Sequence, residues 1–455
     1  MIKNAKKRVL GVFSLAMMGI AAIFSLRNLP IAAMYGFSSI TYYIAAALLF
    51  FIPSALVCAK LSTTFPEAGG LYLWVKKALS PSFGFLAIWF EWINTVCSFP
   101  MMLGFILFTL LYPLAPLLAN NRLYEFSFMT LTFWAITALN FFGIKTSSRF
   151  SAAGVVLGTL LIAILIIVLA ACWLIQGHVS QIDFSWHALI PTFNFGTLAF
   201  LITMINSISG IQIIAFHADE TDNPKQSFPR ATLIIVSVIL LLSILGALAI
   251  AVVTPITSSS LIGGIVESLI IFLSPFHLGW LVPTLVVLIA VGVLAEINAW
   301  VIGPSKGMLA AAESGQLPKI FALKNKRDVP TVILLAQGII ATILAGAYIY
   351  MPSVNSAYWL LSDLTAEFTL MMWILLFISA IVLCARLKEK RRWQTYLGAG
   401  LGILTCLIVL GFSYIPPSNV IHTGAVFKYE AVLLGGLLLF SVVPLLKTLL
   451  THWKN

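Results

Sequence analysis

Apolar stretches of about twenty residues or more recur along all 455 residues of the chain, and short charged segments separate them. One crossing of a bilayer by an α-helix takes about 20 mainly apolar residues. Only 9% of the residues are charged, against roughly 25% in a soluble domain. A water-exposed surface cannot be built from such a composition, so lipid is the expected solvent. Backbone polar groups in lipid must be satisfied within the segment, which leaves helices as the spanning element for runs this long. The expected fold is therefore all-α and polytopic.

Twelve spans are expected. They cover residues 10–35, 40–62, 82–112, 125–143, 150–176, 193–216, 231–254, 280–304, 330–350, 355–384, 395–414 and 428–450. Stretches 255–279 and 305–329 are expected to be connectors, so residues 1–455 form one membrane domain. Basic residues test this map, because cytoplasmic loops retain Lys and Arg. With the N-terminus inside, 23 of the 26 fall in inside segments and only Arg122 and Lys428 in outside ones. Both termini are then cytoplasmic. The start of the chain, with Lys3, Lys6, Lys7 and Arg8 before an apolar run, resembles a signal peptide. That run is long and leads into further spans, so it is expected to be an uncleaved first helix. Short tails suit a bacterial inner membrane.

The net charge of +11 does not point to nucleic acid, since the basic residues are spread over short loops rather than one soluble face. Cys58, Cys97, Cys172, Cys384 and Cys406 lie in apolar stretches without metal-ligand spacing, and no disulfide framework, metal or other cofactor is expected. His178, His187, His217, His277 and His422 lie at helix ends or in loops, and His452 in the tail, without a ligand partner three or four residues on. An enzyme or a membrane sensor is disfavoured accordingly.

Two helices are expected to break. Helix one contains Ser25-Leu26-Arg27-Asn28-Leu29-Pro30, with a charge and a proline near mid-membrane. Helix six contains Asn206-Ser207-Ile208-Ser209-Gly210. Unwound backbone at that depth faces protein or a watery cavity. Breaks five helices apart lie in segments of opposite orientation, as in inverted five-helix repeats that bind substrate at the breaks. The division this gives is 10–216 for the first repeat with helix six, 193–384 for the second repeat, and 395–450 for helices eleven and twelve. Ser25, Leu26, Arg27, Asn28, Ser207, Ser209 and Gly210 are the candidate substrate contacts. Ionisable groups within spans are costly and mark function by default. Besides Arg27 these are Glu91, Glu296, Asp363 and Glu367, candidates for the transport path and for carrying a coupling proton, or for a self-neutralising Arg–Glu pair. Asp363 and Glu367, four apart, share a helix face.

Several loops resemble those of the amino acid–polyamine–organocation (APC) transporter superfamily. Phe65-Pro66-Glu67-Ala68-Gly69-Gly70-Leu71-Tyr72-Leu73-Trp74 resembles its (F/E)-P-x-A-G-G-x-Y-x-W loop. Glu220-Thr221-Asp222-Asn223-Pro224, ending Phe228-Pro229-Arg230-Ala231, is similar to its loop after helix six, and Ser314-Gly315-Gln316-Leu317-Pro318 to the one after helix eight. Gly292–Ile297 with Trp300 and Gly303–Met308, and the outer loop Tyr414–Asn419, resemble the glutamate/γ-aminobutyrate antiporter branch. The resemblance implies a leucine-transporter-type fold with 5+5 inverted repeats and secondary transport of amino acids, by antiport or proton-coupled symport. It also implies that helices one and six hold the α-carboxylate and α-amine, with helices three, eight and ten lining the path. A polyamine or organic-cation carrier of the same fold is the alternative, against which Arg27 argues. Where many members carry Gly-x-Gly, this chain has Leu26-Arg27-Asn28, and Gln212, a further candidate substrate contact, follows the helix-six glycine where many carry Glu; Trp300 is a further candidate for the transport path. Asn28 stands where the antiporter branch has Glu, so that branch's own substrate is not implied.

Overall fold

The computed structural model describes residues 10–67, 69–191, 201, 203–254, 264–346, 349, 354–387, 392–413 and 426–452. Those residues are helical almost throughout, with two isolated β-bridges and no longer strand among them. The chain begins with α1 (Val12–Ile23) and α2 (Leu26–Ala33), bent by 42° from one another and together long and apolar enough for one span. Seven further helices meet that standard: α3 (Gly36–Thr64), α5 (Pro81–Leu114), α7 (Ser147–Ile175), α9 (Pro224–Val253), α11 (Gly279–Glu313), Leu360–Arg386 within α13 (Val354–Arg386), and α14 (Arg392–Phe412).

Spans four, nine and twelve correspond to α6 (Arg122–Phe141), α12 (Thr331–Ala345) and α15 (Val426–His452), whose described apolar stretches are shorter or more polar. Span six is represented by helical residues 203–207 and the 3-10 helix α8 (Ile211–Glu220). Length and composition thus mark eight spans among the described residues, against the twelve expected from charge placement. Residues 192–200, part of expected span six, and the outer loop Tyr414–Asn419 lie outside the described residues.

Two expected connectors contain structure. Within 255–279 lies α10 (Gly264–Leu273), an apolar helix too short to span whose Ile265, Val266, Leu269 and Phe272 are buried. In 305–329, the first nine residues continue α11 to Glu313. The loop after span two also folds, as α4 (Gly70–Ala78).

Local chemistry explains the loop motifs. Gly69 and Gly70 have φ of +108° and +43°, in the range that side chains with a Cβ rarely adopt. A Cβ on Gly70 would also meet the Ala215 carbonyl of α8 at 3.1 Å, so the glycine pair lets α4 lie against helix six. Asn223 takes a left-handed conformation, φ 40°, and Pro224 opens α9. Asn tolerates that geometry and Pro loses nothing at a first helical turn.

A polar network ties three helices together. Asn298 on α11 donates to Ser147 Oγ and Ser151 Oγ on α7, both at 2.7 Å, and accepts from Asn140 Nδ2 on α6 at 2.9 Å. Ser151 Oγ donates to the Ala295 carbonyl at 3.1 Å. Buried amides and hydroxyls paired in this way fix helix rotation, because each unmade bond costs about 1–3 kcal/mol. The face of α11 that carries Glu296 and Trp300 is thereby held in place.

Candidate functional site

Helix one unwinds at Phe24 and Ser25, whose ψ angles of 110° and 126° are extended rather than helical. The break therefore precedes Pro30: the second half opens with a 3-10 turn, Leu26–Asn28, and Pro30 is the second residue of its α-helical part, Leu29–Ala33, where its missing N–H is harmless. Helix six turns at Ile208–Gly210, with Gly210 at φ +126°. A Cβ there would lie 3.1 Å from Ile23 and 3.2 Å from Trp300, so the glycine lets the two breaks approach.

Between the breaks lies a cavity of about 60 Å³. Helix one contributes Ala22, Ile23, Arg27 and Asn28; α5 contributes Asn94, Thr95, Ser98, Met101 and Met102. Helix six adds Asn206, Ser207 and Ser209, α11 adds Glu296 and Trp300, and α13 adds Thr365 and Thr369. Among the described residues, Arg27 and Glu296 are the two ionisable side chains of this lining, with Arg27 Nη2 3.6 Å from Glu296 Oε1. Ser25 bridges them: its Oγ accepts from Arg27 Nε at 3.1 Å and donates to Glu296 Oε2 at 2.9 Å. Arg27 Nη1 is buried and has no hydrogen-bond partner. Trp300 Nε1 donates to the Ala22 carbonyl at 2.8 Å, satisfying an acceptor that the unwinding of helix one releases. Asn28 Nδ2 lies 3.5 Å from the Ser207 carbonyl, at the long limit of a hydrogen bond.

The other candidates sit elsewhere. Leu26 is buried in the core and outside the cavity lining. Gln212 Nε2 donates to Glu91 Oε1 at 2.9 Å, forming a buried pair between α8 and α5 that also stands apart from the lining. Asp363 and Glu367 do not reach the cavity; Thr365 and Thr369 on the same helix do. In a helix, positions 365 and 369 share a face, and position 367 lies about 200° around from 365.

Among the described residues, Asn94, Thr95, Ser98, Thr365 and Thr369 are polar lining residues that the sequence reading did not single out, and Asn206 was read as part of the helix-six break but not as a substrate contact. Asn94 and Ser98, four apart in an apolar span, carried a usable signal.

A second polar cluster occupies the far end of α8. Lys306 Nζ of α11 is 3.3 Å from both carboxylate oxygens of Glu220, and His217 Nδ1 lies 3.0 Å from Glu220 Oε2. The stretch before helix one joins it, with Leu10 N donating to the Glu220 carbonyl and Asp222 N to that of Leu10.

A broken helix pair around a polar intramembrane cavity is the architecture of a secondary transporter. Residues 10–438 match the amino acid permease family. The chain is 41% identical to an uncharacterized transporter of Legionella pneumophila, over 97% of each chain. It is 30% identical to the glutamate/γ-aminobutyrate antiporter of Lactococcus lactis, over 97% of this chain and 90% of that one. It is 24% identical to a probable agmatine/putrescine antiporter of the same species, over 83% and 79%. The chain belongs to the amino acid permease family, within the APC superfamily, and is a multi-pass membrane transport protein.

Proposed function

We propose that this protein carries an amino acid across the bacterial inner membrane by alternating access, with both termini in the cytoplasm. Helices one and six hold the substrate, and the transport mode is exchange, with proton-coupled symport as the variant that the same site also permits. Residues 10–216, 193–384 and 395–450 serve as first repeat with helix six, second repeat and flanking pair. The observation that carries the reading is Arg27, a guanidinium at the helix-one break that borders a polar cavity and keeps Nη1 without a protein partner. Charged groups within a span mark a substrate or ion path, and guanidinium is suited to a carboxylate. A cavity of about 60 Å³ has room for a few waters. An amino acid is larger, and in the proposed cycle helices one and six move relative to α5 and α11 to admit it. That movement is alternating access.

Counterflow tests the reading. Proteoliposomes carrying the full-length protein are loaded in turn with each standard amino acid, γ-aminobutyrate or a polyamine, at one acidic and one neutral pH. Saturable exchange of an amino acid supports it, and the pH dependence separates simple exchange from proton coupling. Exchange of polyamine alone, or of nothing by folded protein, overturns it.

A further inference from the structure

We propose that the substrate is a net-neutral amino acid whose side chain is an uncharged hydrogen-bonding group, an amide or a hydroxyl, rather than an acidic, basic or purely apolar one. The inference rests on the transporter reading above and sharpens it to a substrate class.

Charge balance in the cavity favours a zwitterion. The ionisable groups of the cavity lining are Arg27 and Glu296, opposite in sign and 3.6 Å apart. Glu91 is fully buried and turned to Gln212, outside the lining, so it supplies no further charge there. Among the described residues the fixed charge of the cavity lining therefore sums to zero. Taking a charge out of water costs several kcal/mol unless an opposite charge meets it. An acidic amino acid brings a second carboxylate, and Arg27 can serve it only by leaving Glu296 uncompensated. A basic amino acid or a polyamine makes the reverse demand on Glu296. A zwitterion makes neither demand. Its carboxylate meets the free Nη1 of Arg27 and its ammonium meets Glu296, so the charges alternate in sign and the Arg27–Glu296 pair stays whole.

The chemistry of the remaining walls favours a neutral polar side chain. Three amides, Asn28, Asn94 and Asn206, face the cavity together with hydroxyls of helices three, six and ten. Amides and hydroxyls both donate and accept. The hydroxyls of Thr95, Ser98, Ser207, Ser209, Thr365 and Thr369 already donate to carbonyls of their own helices, so the Asn94 and Asn206 amides carry the preference: they pair with a neutral polar side chain and not with an apolar one, and a site built to hydrogen-bond its substrate rejects the analogue lacking those groups strongly.

The test uses the full-length protein in proteoliposomes. Exchange rates for glutamine, asparagine, serine and threonine are compared with those for glutamate, aspartate, lysine, arginine and leucine. The expected result is that at least one of the first four exceeds all of the others by about tenfold, about 1.4 kcal/mol of discrimination. A charged amino acid or leucine at an equal or higher rate overturns the proposal and leaves the transporter reading standing. No exchange of any amino acid by folded protein overturns both. Glu296→Gln supplies an independent check, because it leaves Arg27 unbalanced. The ratio of glutamate to glutamine transport is expected to rise about tenfold, and an unchanged ratio contradicts the charge-balance argument. Should that variant fail to fold, the comparison on the unaltered protein decides.

Discussion

Ser25 Oγ donates to Glu296 Oε2 across 2.9 Å, joining the unwound point of helix one to the middle of helix eight. The same oxygen accepts from Arg27 Nε at 3.1 Å, so one hydroxyl orders both charged groups of the cavity. Any movement of helix one away from α11 must break this bridge together with the Arg27–Glu296 pair. The cost is recovered only if the substrate or water takes over the same groups, which couples occupancy to movement.

Trp300→Phe removes the indole N–H that satisfies the Ala22 carbonyl at 2.8 Å while keeping most of the ring's packing. An acceptor left unpaired in a buried site costs about 1–3 kcal/mol. The variant is expected to fold, to melt at a lower temperature than the unaltered protein in detergent, and to exchange substrate more slowly. An unchanged melting temperature and rate would mean that water satisfies Ala22 equally well.

Gly210→Ala tests the second break. The substitution places a Cβ at φ +126°, about 3.1 Å from Ile23 and 3.2 Å from Trp300. Strained backbone of this kind costs about 1–3 kcal/mol. Exchange is expected to fall in step with stability, and Ile23→Ala in the same chain is expected to restore part of both by making room. Failure of that second substitution to help would assign the loss to backbone strain and the Trp300 contact rather than to Ile23.

Gln212→Leu strips Glu91 of the amide that donates to it at 2.9 Å. Glu91 is fully buried, and its Oε2 has no hydrogen-bond partner. Removing the amide is expected to destabilise the protein by about 1–3 kcal/mol. Glu91→Leu combined with Gln212→Leu is expected to recover most of that loss, since two apolar groups leave nothing unpaired. A thermal-shift double-mutant cycle measures it, and additive losses would show that the pair is not an energetic unit.

The two breaks were legible in the sequence because a proline, a charge and a glycine interrupt otherwise apolar spans, yet their exact form was not. Pro30 attracted attention as the breaker, whereas the chain unwinds at Phe24 and Ser25 and Pro30 lies within the next helical segment, early in its α-helical part. Proline marks a boundary without saying on which side of it the helix ends. The acids Asp363 and Glu367 stood out as costly charges, but charge alone does not say which face of a helix meets the cavity. Thr365 and Thr369, which do meet it, are unremarkable residues in a membrane helix, where a hydroxyl satisfies itself on the preceding turn, as Thr369 does on the Thr365 carbonyl at 2.8 Å. The helix Gly264–Leu273 was missed for a related reason: it is too short to span, so a search for spans assigns it to a connector.

The most direct test of the account is substrate exchange by Arg27→Ala in proteoliposomes, with insertion and folding checked by size-exclusion chromatography and thermal melting. The account places the Arg27 guanidinium beside the cavity, with Nη1 free for a substrate carboxylate. It predicts folded, inserted protein with exchange reduced to background. Exchange at the unaltered rate and affinity would remove Arg27 from the substrate site and contradict the assignment of that site to the helix-one break.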